Sequence, residues 1–115
     1  MLINLSNHPS TKWNTFQKQT AIEVYGKIKD LPFPQIAPHD NKQAIKKRAK
    51  KYLKQIQSHQ PQAVHLMGEM TFTYRLVRLL KKAGIPCIAS TTNRIVEEKD
   101  GKKIVQFQFI QFREY

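Results

Sequence analysis

Short apolar runs alternate with segments of helical periodicity along the first 90 residues of the chain. Such runs are typical of buried strands, whereas apolar positions that recur every three to four residues indicate helices. The pattern predicts strands at residues 1–5, 27–33, 63–67 and 85–90, and helices at residues 12–25, 41–58 and 70–83. Because this order implies right-handed crossovers, we predict an α/β fold with a parallel sheet in the order 2-1-3-4 and helices on both faces.

Each predicted helix carries one apolar stripe that we expect to face the sheet. Ser10 or Thr11 is the expected N-cap of the first helix, and Asp40 or Asn41 that of the second. The inward positions are Trp13, Phe16, Thr20 and Val24 in the first helix; Ile45, Ala49, Tyr52, Leu53 and Ile56 in the second; and Phe72, Leu76, Leu79, Leu80 and Ala83 in the third.

The C-terminal segment has a different pattern, in which residues 93–98 and 102–113 flank the dipeptide Asp100-Gly101. Asp-Gly between two strand-like segments is a strong hairpin signal, so we predict an antiparallel β-hairpin extension of the sheet. Apolar residues occupy both alternating sets of positions between Val105 and Phe112. We therefore expect this extension to be covered on both sides, by helices or by a second subunit.

The length of 115 residues predicts a single domain spanning residues 1–115. No apolar run approaches the ~18–20 residues of a membrane span, and the first residues lack the pattern of a signal peptide. Cys87 is the only cysteine, which excludes an internal disulfide and a cysteine zinc cluster. We expect a cytoplasmic protein with no membrane partner.

The charge is strongly positive, with 20 Lys and Arg against 8 Asp and Glu and a formal net charge of +12. Residues 41–60 contain many of these basic side chains and no acidic one. Two interpretations remain open: a polyanionic partner, or a solvated face of the second helix.

In a doubly wound sheet of this order, a ligand is expected beyond the carboxyl ends of strands one and three. The loops at residues 6–10, 68–73 and 90–94 meet there, and they supply hydroxyls, amides, His8, Glu69 and Arg94. Two of the predicted helices begin at the first two loops, so their backbone N–H groups point at the same crevice. This arrangement predicts a phosphate-binding site.

Each of these residues also has an interpretation that needs no ligand. The hydroxyls at 10–11 and 71–73 can cap helices, His8 can bond to backbone in a turn, and Glu69 can complement a helix dipole. Arg94 can pair with Glu97 or Glu98, and His65 is expected to be a core histidine with satisfied hydrogen bonds. The convergence of three polar loops at one edge favours the binding interpretation.

Several chemistries lack their sequence signatures. There is no G-x-G-x-x-G or G-x-x-x-x-G-K-[ST] motif, and the four histidines, at 8, 39, 59 and 65, lack metal-ligand spacing. A Ser-His-Asp triad would need a buried Asp near His8, and the sequence suggests none. We expect no metal and no cofactor.

Four segments carry a family resemblance: L-I-N-L-S-N-H-P-S-x-x-W at 2–13, D-L-P-F-P at 30–34, A-V-H-L-M-G-E-M-T-F-T at 63–73 and A-S-T-T-N-R at 89–94. They resemble a family of small CRISPR-associated proteins, related to the CRISPR-associated Rossmann-fold sensors of type III systems. The resemblance implies a single Rossmann-like domain. It also implies a ring nuclease of antiviral defence, which binds and linearises a cyclic oligoadenylate messenger, expected to be cyclic tetra-adenylate.

Cleavage in such families resembles attack by a ribose 2′-OH on the adjacent phosphorus, which yields a 2′,3′-cyclic phosphate. The resemblance implies Lys12 and Arg94 as cations for the phosphate and His8 or Glu69 as general acid or base. Trp13 would stack on adenine. The remaining ligand-binding residues are expected to be Ser6, Asn7, Ser10, Gly68, Thr71, Thr73, Ser90, Thr91 and Thr92.

The ligand's symmetry and the apolar C-terminal arm predict a homodimer, and the sequence implies no other stable protein partner. One alternative function is a non-catalytic cyclic oligoadenylate-binding sensor or sponge. Another is a basic nucleic-acid-binding module that uses the second helix, although Tyr52 is the only aromatic residue there.

Overall fold

A five-stranded sheet in the order β2-β1-β3-β4-β5 forms the centre of the computed structural model, which describes all 115 residues. The strands are β1 (Leu2–Ser6), β2 (Ile28–Asp30), β3 (Ala63–Met67), β4 (Cys87–Lys99) and β5 (Lys102–Glu114). The helices are α1 (Thr15–Tyr25), α2 (Lys42–His59) and α3 (Met70–Lys82), with a 3₁₀ turn at Ser10–Lys12. The first four strands pair in parallel and β5 is antiparallel to β4, which confirms the predicted α/β fold, strand order and C-terminal hairpin.

Two hydrophobic layers of unequal size cover the sheet. The larger layer, with α2 and α3, has 12 buried residues, among them Ile3, Leu5, Val64, Leu66, Phe72 and Leu76. The smaller layer, with α1 on the opposite face, has five, which are Leu2, Trp13, Ala21, Ala63 and Ile88. Toward the carboxyl ends of the strands, polar side chains continue the α1 layer.

The predictions for α1 were wrong at its start and for two of the four inward residues, Phe16 and Val24. The helix begins at Thr15, because Asn14 is its N-cap and accepts a hydrogen bond from the Gln17 backbone N–H. Ala21 is the residue that faces the core, while Phe16 and Val24 are 58% and 63% exposed. A small side chain lets the helix lie close to the sheet, and this rotation turns the larger apolar residues toward solvent.

The other two helices follow the predicted stripes closely. Asn41 caps α2 through a bond from the Ala44 N–H, and Ile45 and Ile56 are buried. In α3 the predicted inward residues pack as expected except Ala83, which is the exposed C-cap.

Strand β2 is shorter than the predicted 27–33 and ends at Asp30. Pro32 and Pro34 have no N–H to donate to a neighbouring strand, so pairing stops before them. The following loop returns across the sheet edge and places the ring of Phe33 against Phe72, at 5.4 Å between ring centroids.

Strand β4 joins two segments that were predicted as separate strands. Val64 and His65 of β3 pair with its first residues in parallel, and β5 pairs with it antiparallel along nearly its whole length. Asp100 (φ 53°) and Gly101 (φ 73°) form the turn, as the Asp-Gly signal predicted.

A register shift at Thr91/Thr92 interrupts the hairpin. Ser90 pairs with Phe112 and Thr92 with Phe109, so three β4 residues oppose four residues of β5. The extra residue places Phe109 and Phe112 on the same face, with ring centroids 4.9 Å apart.

The outer part of the β4-β5 hairpin is not covered by helices of the same chain, which was one of the two kinds of cover expected for it. Its exposed apolar side chains are Ile95, Val96, Ile104, Val105, Phe107 and Ile110. Cover by helices of the same chain is therefore wrong for these residues, although Phe109 and Phe112 do pack against the α1 layer. Cover of the outer residues by a second subunit stays a prediction.

Gly68, at the end of β3, is expected to tolerate no side chain. A Cβ at this position would overlap the ring of Phe33. Gly68→Ala should lower the free energy of unfolding by about 1–3 kcal/mol, measured by urea denaturation, because overpacking forces the ring to move. In a Phe33→Ala background the same change should cost little. An equal loss in both backgrounds would contradict this packing explanation.

Candidate functional site

An open crevice of about 560 Å³ lies at the carboxyl ends of β1, β3 and β4, on the α1 side of the sheet. This is the switch point between β1 and β3 where the strand order predicted a ligand site. Eight of the predicted site residues line it: Ser6, Asn7, His8, Lys12, Trp13, Gly68, Ser90 and Thr92. The other lining residues are Asn14, Gln17, His65, Met67, Phe107 and Phe109.

A row of three hydrogen-bonded side chains lies beneath this crevice, one from each of three adjacent strands. Asn4 of β1 and His65 of β3 are register partners, and the His65 Nδ1 is 2.9 Å from the Asn4 Oδ1. The His65 Nε2 is 2.7 Å from the Oγ of Ser90 in β4. Asn4 and His65 are almost fully buried, while Ser90 is half-buried at the crevice wall.

The partners of Asn4 determine the direction of these bonds. Its Nδ2 donates to the His8 carbonyl and to the Asp30 Oδ1, both at 2.8 Å. Its Oδ1 is therefore the acceptor, and the Nδ1 of His65 carries the hydrogen.

The other side of the His65 ring follows from this tautomer. The Nε2 has a free lone pair and accepts from the Ser90 hydroxyl, while Gln17 donates to the Ser90 Oγ at 3.0 Å. Burial, and then the nearby charge of His8, lower the pKa of His65 to about 4. His65 is thus neutral at pH 7 with both ring nitrogens bonded, the state expected of a satisfied core histidine.

Asp30 anchors the loop that forms one wall of the crevice. It accepts from the Ser10 backbone N–H at 2.9 Å and from the Ser10 hydroxyl at 2.8 Å. Burial raises the pKa of Asp30, but the hydrogen bonds from Asn4 and Ser10 outweigh it and lower that pKa overall. The Ser10 hydroxyl, predicted to bind ligand, is therefore committed to Asp30 and does not line the crevice.

Trp13 is a structural wall of the crevice. The Trp13 side chain is 7% exposed. Its ring centroid is 5.1 Å from that of His65, in an edge-on contact, and 6.1 Å from that of Phe112. Its indole N–H donates to the His8 carbonyl at 3.1 Å. The ring is thus packed in an aromatic cluster with little of its surface exposed, and stacking of Trp13 on a base stays a prediction. Phe107, 66% exposed at the crevice, is an aromatic side chain with a free face.

The N-terminus of α3 is closed by its own cap. The Glu69 carboxylate accepts from the backbone N–H groups of Thr71 and Phe72, both at 2.9 Å, and from the Thr71 hydroxyl. The pKa of Glu69 is lowered, most of all by the hydrogen bond from the Thr71 hydroxyl. Burial raises this pKa, and the two backbone hydrogen bonds lower it further. The prediction of free N–H groups for phosphate was therefore wrong. The Glu69 carboxylate is held at its own helix, outside the crevice lining, and its role as general acid or base stays a prediction. Asn14 fills the corresponding position at α1.

Three further predicted residues lie away from the crevice. The Thr91 hydroxyl bonds to the Gln111 backbone at the register shift. Thr73 is buried in α3 and borders a smaller cavity with Tyr115. Arg94 lies outside the crevice lining, directly across the hairpin from Phe107, so it shares the face on which the crevice opens.

Sequence reasoning missed Asn4, Gln17 and Asp30, and it gave His65 no place at the site. A signal for Asn4 and His65 was present, because each occupies the third position of a five-residue strand with apolar neighbours on both sides. In adjacent parallel strands of equal length this spacing predicts neighbours, and buried polar neighbours are expected to bond to each other. Gln17 and Asp30 carried no comparable signal.

The fold and site together define a small doubly wound α/β domain with an open, polar-floored crevice at its switch point. The chain belongs to the family described as "Uncharacterized protein MJ1673 family", whose model matches residues 1–113. Comparisons with curated proteins and with solved structures gave no match.

None of the helices combines the length and apolarity needed to cross a bilayer. No three His, Cys, Asp or Glu side chains are grouped so that they could hold a metal ion.

The buried state of His65 predicts an acid-sensitive fold. Its pKa is about 4 in the folded chain and 6.5 ordinarily, so between these values the unfolded chain binds a proton that the folded chain does not. Stability is full above pH 6.5 and should fall by about 3 kcal/mol as the pH drops through 4. Urea denaturation between pH 7.5 and 4 should show a clearly smaller loss in His65→Gln. A variant that loses as much as the native chain would refute this assignment.

Proposed function

We propose that this protein is a ring nuclease that binds a cyclic oligoadenylate, with cyclic tetra-adenylate as the expected ring, in the crevice and linearises it. The setting would be cytoplasmic type III CRISPR antiviral defence, which the family resemblance suggests. The observation that carries the proposal is the contrast between the crevice walls. Lys12 and His8 lie on one wall, and Phe107 and Phe109 on the other. A phosphodiester needs cations and an adenine needs an aromatic face.

The proposed chemistry is attack by a ribose 2′-OH on the adjacent phosphorus. The 2′-O–P bond forms, the P–O5′ bond breaks, and the departing 5′ oxygen takes a proton from His8. The Lys12 ammonium stabilises the charge on the phosphorane oxygens. The loop that holds these two residues is fixed by Asp30 and Trp13, so its geometry is set before the ligand arrives.

A homodimer is part of the proposal. A crevice of about 560 Å³ suits a drug-sized ligand, and a ring of four nucleotides is larger than that. Two chains related by a two-fold axis would surround the ring with two equivalent crevices. The exposed apolar hairpin is the surface that a second copy would cover, because isolated apolar surface of this kind is costly in water.

The basic-module alternative involves a different surface. The charges of Arg75 and Lys42 lower the pKa of Lys46, so positive side chains of α2 and α3 crowd together there. This patch belongs to the helices of the larger layer, across the sheet from the crevice. Variants in the crevice therefore separate the two functions.

The cleavage test uses cyclic tri-, tetra- and hexa-adenylate in EDTA, with products separated by chromatography and mass. We expect linear products with 2′,3′-cyclic phosphate ends. Lys12→Ala should lower the single-turnover rate about 10–1,000-fold through the lost charge. His8→Ala should lower it about 100–10,000-fold through the lost proton donor. Lys27→Ala and His39→Gln, outside the crevice, are matched controls.

The outcomes of this test discriminate among the functions. Tight binding of a ring that stays intact for hours would refute the nuclease and leave a sensor or sponge. No binding of any ring would refute both. Binding of single-stranded RNA that Lys46→Ala/Lys50→Ala weakens, with the crevice variants unchanged, would instead support the nucleic-acid module.

The dimer test is light scattering at micromolar concentration, where the expected mass is twice the 13.5 kDa of the chain. Ile104→Asp should give a monomer, because a charge would have to be buried in the interface. Gln57→Asp, on the exposed side of α2, should leave the dimer intact. A native chain that is monomeric with and without ring would contradict the proposal.

A further inference from the structure

We propose that the Ser90 hydroxyl is the group that takes the proton from the attacking ribose 2′-OH and passes its own proton to His65. This inference rests on the proposed function and assigns the base that the proposed chemistry still lacks. As the 2′-O–P bond forms, the 2′ proton moves to the Ser90 Oγ and the Ser90 proton moves to the His65 Nε2. The 5′ oxygen leaves with its proton from His8. After product release, His65 returns its proton to water through Ser90 and His8 takes one up from water, which restores the starting state.

The hydrogen-bond capacity of Ser90 supports this role. A serine hydroxyl has one hydrogen and two lone pairs. The hydrogen is directed to the His65 Nε2 at 2.7 Å, and Gln17 occupies one lone pair at 3.0 Å. The remaining lone pair can only accept a hydrogen bond. Because Ser90 lies at the crevice wall, its partner would be a donor group of a ligand in the crevice. Phosphate oxygens are acceptors, so within an oligoadenylate backbone the 2′-OH is the group that fits.

The residues behind Ser90 give the relay a fixed direction. Asn4 accepts from His65 and donates to Asp30, so the chain of bonds runs from Ser90 through His65 and Asn4 to a carboxylate. His65 is neutral in this arrangement and is free to accept a proton. The Asp30 charge lies at the end of the chain and stabilises the transient imidazolium. Asn4, His65, Gln17 and Asp30 are therefore positioning residues, and Ser90 is the catalytic one.

A ligand-independent measurement tests the tautomer first. Long-range ¹H–¹⁵N correlation spectra of the free protein should place the His65 hydrogen on Nδ1 at pH 7. A hydrogen on Nε2 would overturn the inference, since Ser90 could then not donate to His65.

A thermodynamic cycle on binding tests the contact between Ser90 and the 2′-OH. A ring with 2′-deoxyribose should bind the native chain about 5–10-fold more weakly than the ribose ring, the scale of one hydrogen bond. Ser90→Ala should bind the two rings equally. If Ser90→Ala discriminates between the rings as the native chain does, the contact does not exist and the inference fails.

Single-turnover cleavage tests the chemistry. Ser90→Ala should lower the rate about 100–10,000-fold, while the Kd for the ribose ring rises only by the about 5–10-fold that one lost hydrogen bond explains. Ser58→Ala, at the end of α2, is the matched control.

A Ser90→Ala variant that cleaves at the native rate would overturn the inference and leave the proposed ring nuclease activity intact. A covalent nucleotide adduct on Ser90, seen as a mass increase, would overturn it in favour of direct nucleophilic attack. A native chain that binds no ring would instead refute the proposed function itself.

Discussion

The buried amide of Asn4 connects every part of the crevice. It lies on the central strand β1, and its four bonds reach His65 on β3, Asp30 at the end of β2, the His8 carbonyl and the Ser6 hydroxyl. A buried amide left unpaired costs more than its bonds contribute when made, so these partners have to remain together. The tautomer of His65 follows from this one side chain, which also helps to hold the loop and, together with Ser10, to keep Asp30 ionised.

The unequal hydrophobic layers explain how a small domain accommodates such a polar group. The face covered by α2 and α3 contains most of the buried apolar residues and provides most of the stability. The α1 face can then give up apolar packing near the carboxyl edge, where the hydrogen-bonded row replaces it. The site is thus built on the α1 face, the less apolar one, while the packing of α2 and α3 on the opposite face stabilises the sheet.

Sequence reasoning was most successful where a single requirement determined the structure. Helix α2 has one stripe and a clear cap, so Ile45 and Ile56 are buried as predicted. It was least successful where side chains had competing uses. Ala21 outcompeted the larger Phe16 for the inward position, and Glu69 turned out to satisfy its own helix before any ligand. The roles of Gln17 and Asp30 depend on contacts between distant segments, which no local pattern encodes.

The extra residue in β5 at the register shift determines how the outer strand presents its side chains. Side chains alternate between faces along a regular strand, so Phe109 and Phe112, three positions apart, would otherwise point to opposite sides. Because Ile110 is left without a pairing partner, Phe109 lies opposite Thr92 and Phe107 opposite Arg94, on the same side as Phe112. Deletion of Ile110 would restore regular alternation with the same partners, so both rings would keep their side of the sheet. The aromatic wall therefore depends on the pairing across the hairpin and tolerates the loss of this one residue.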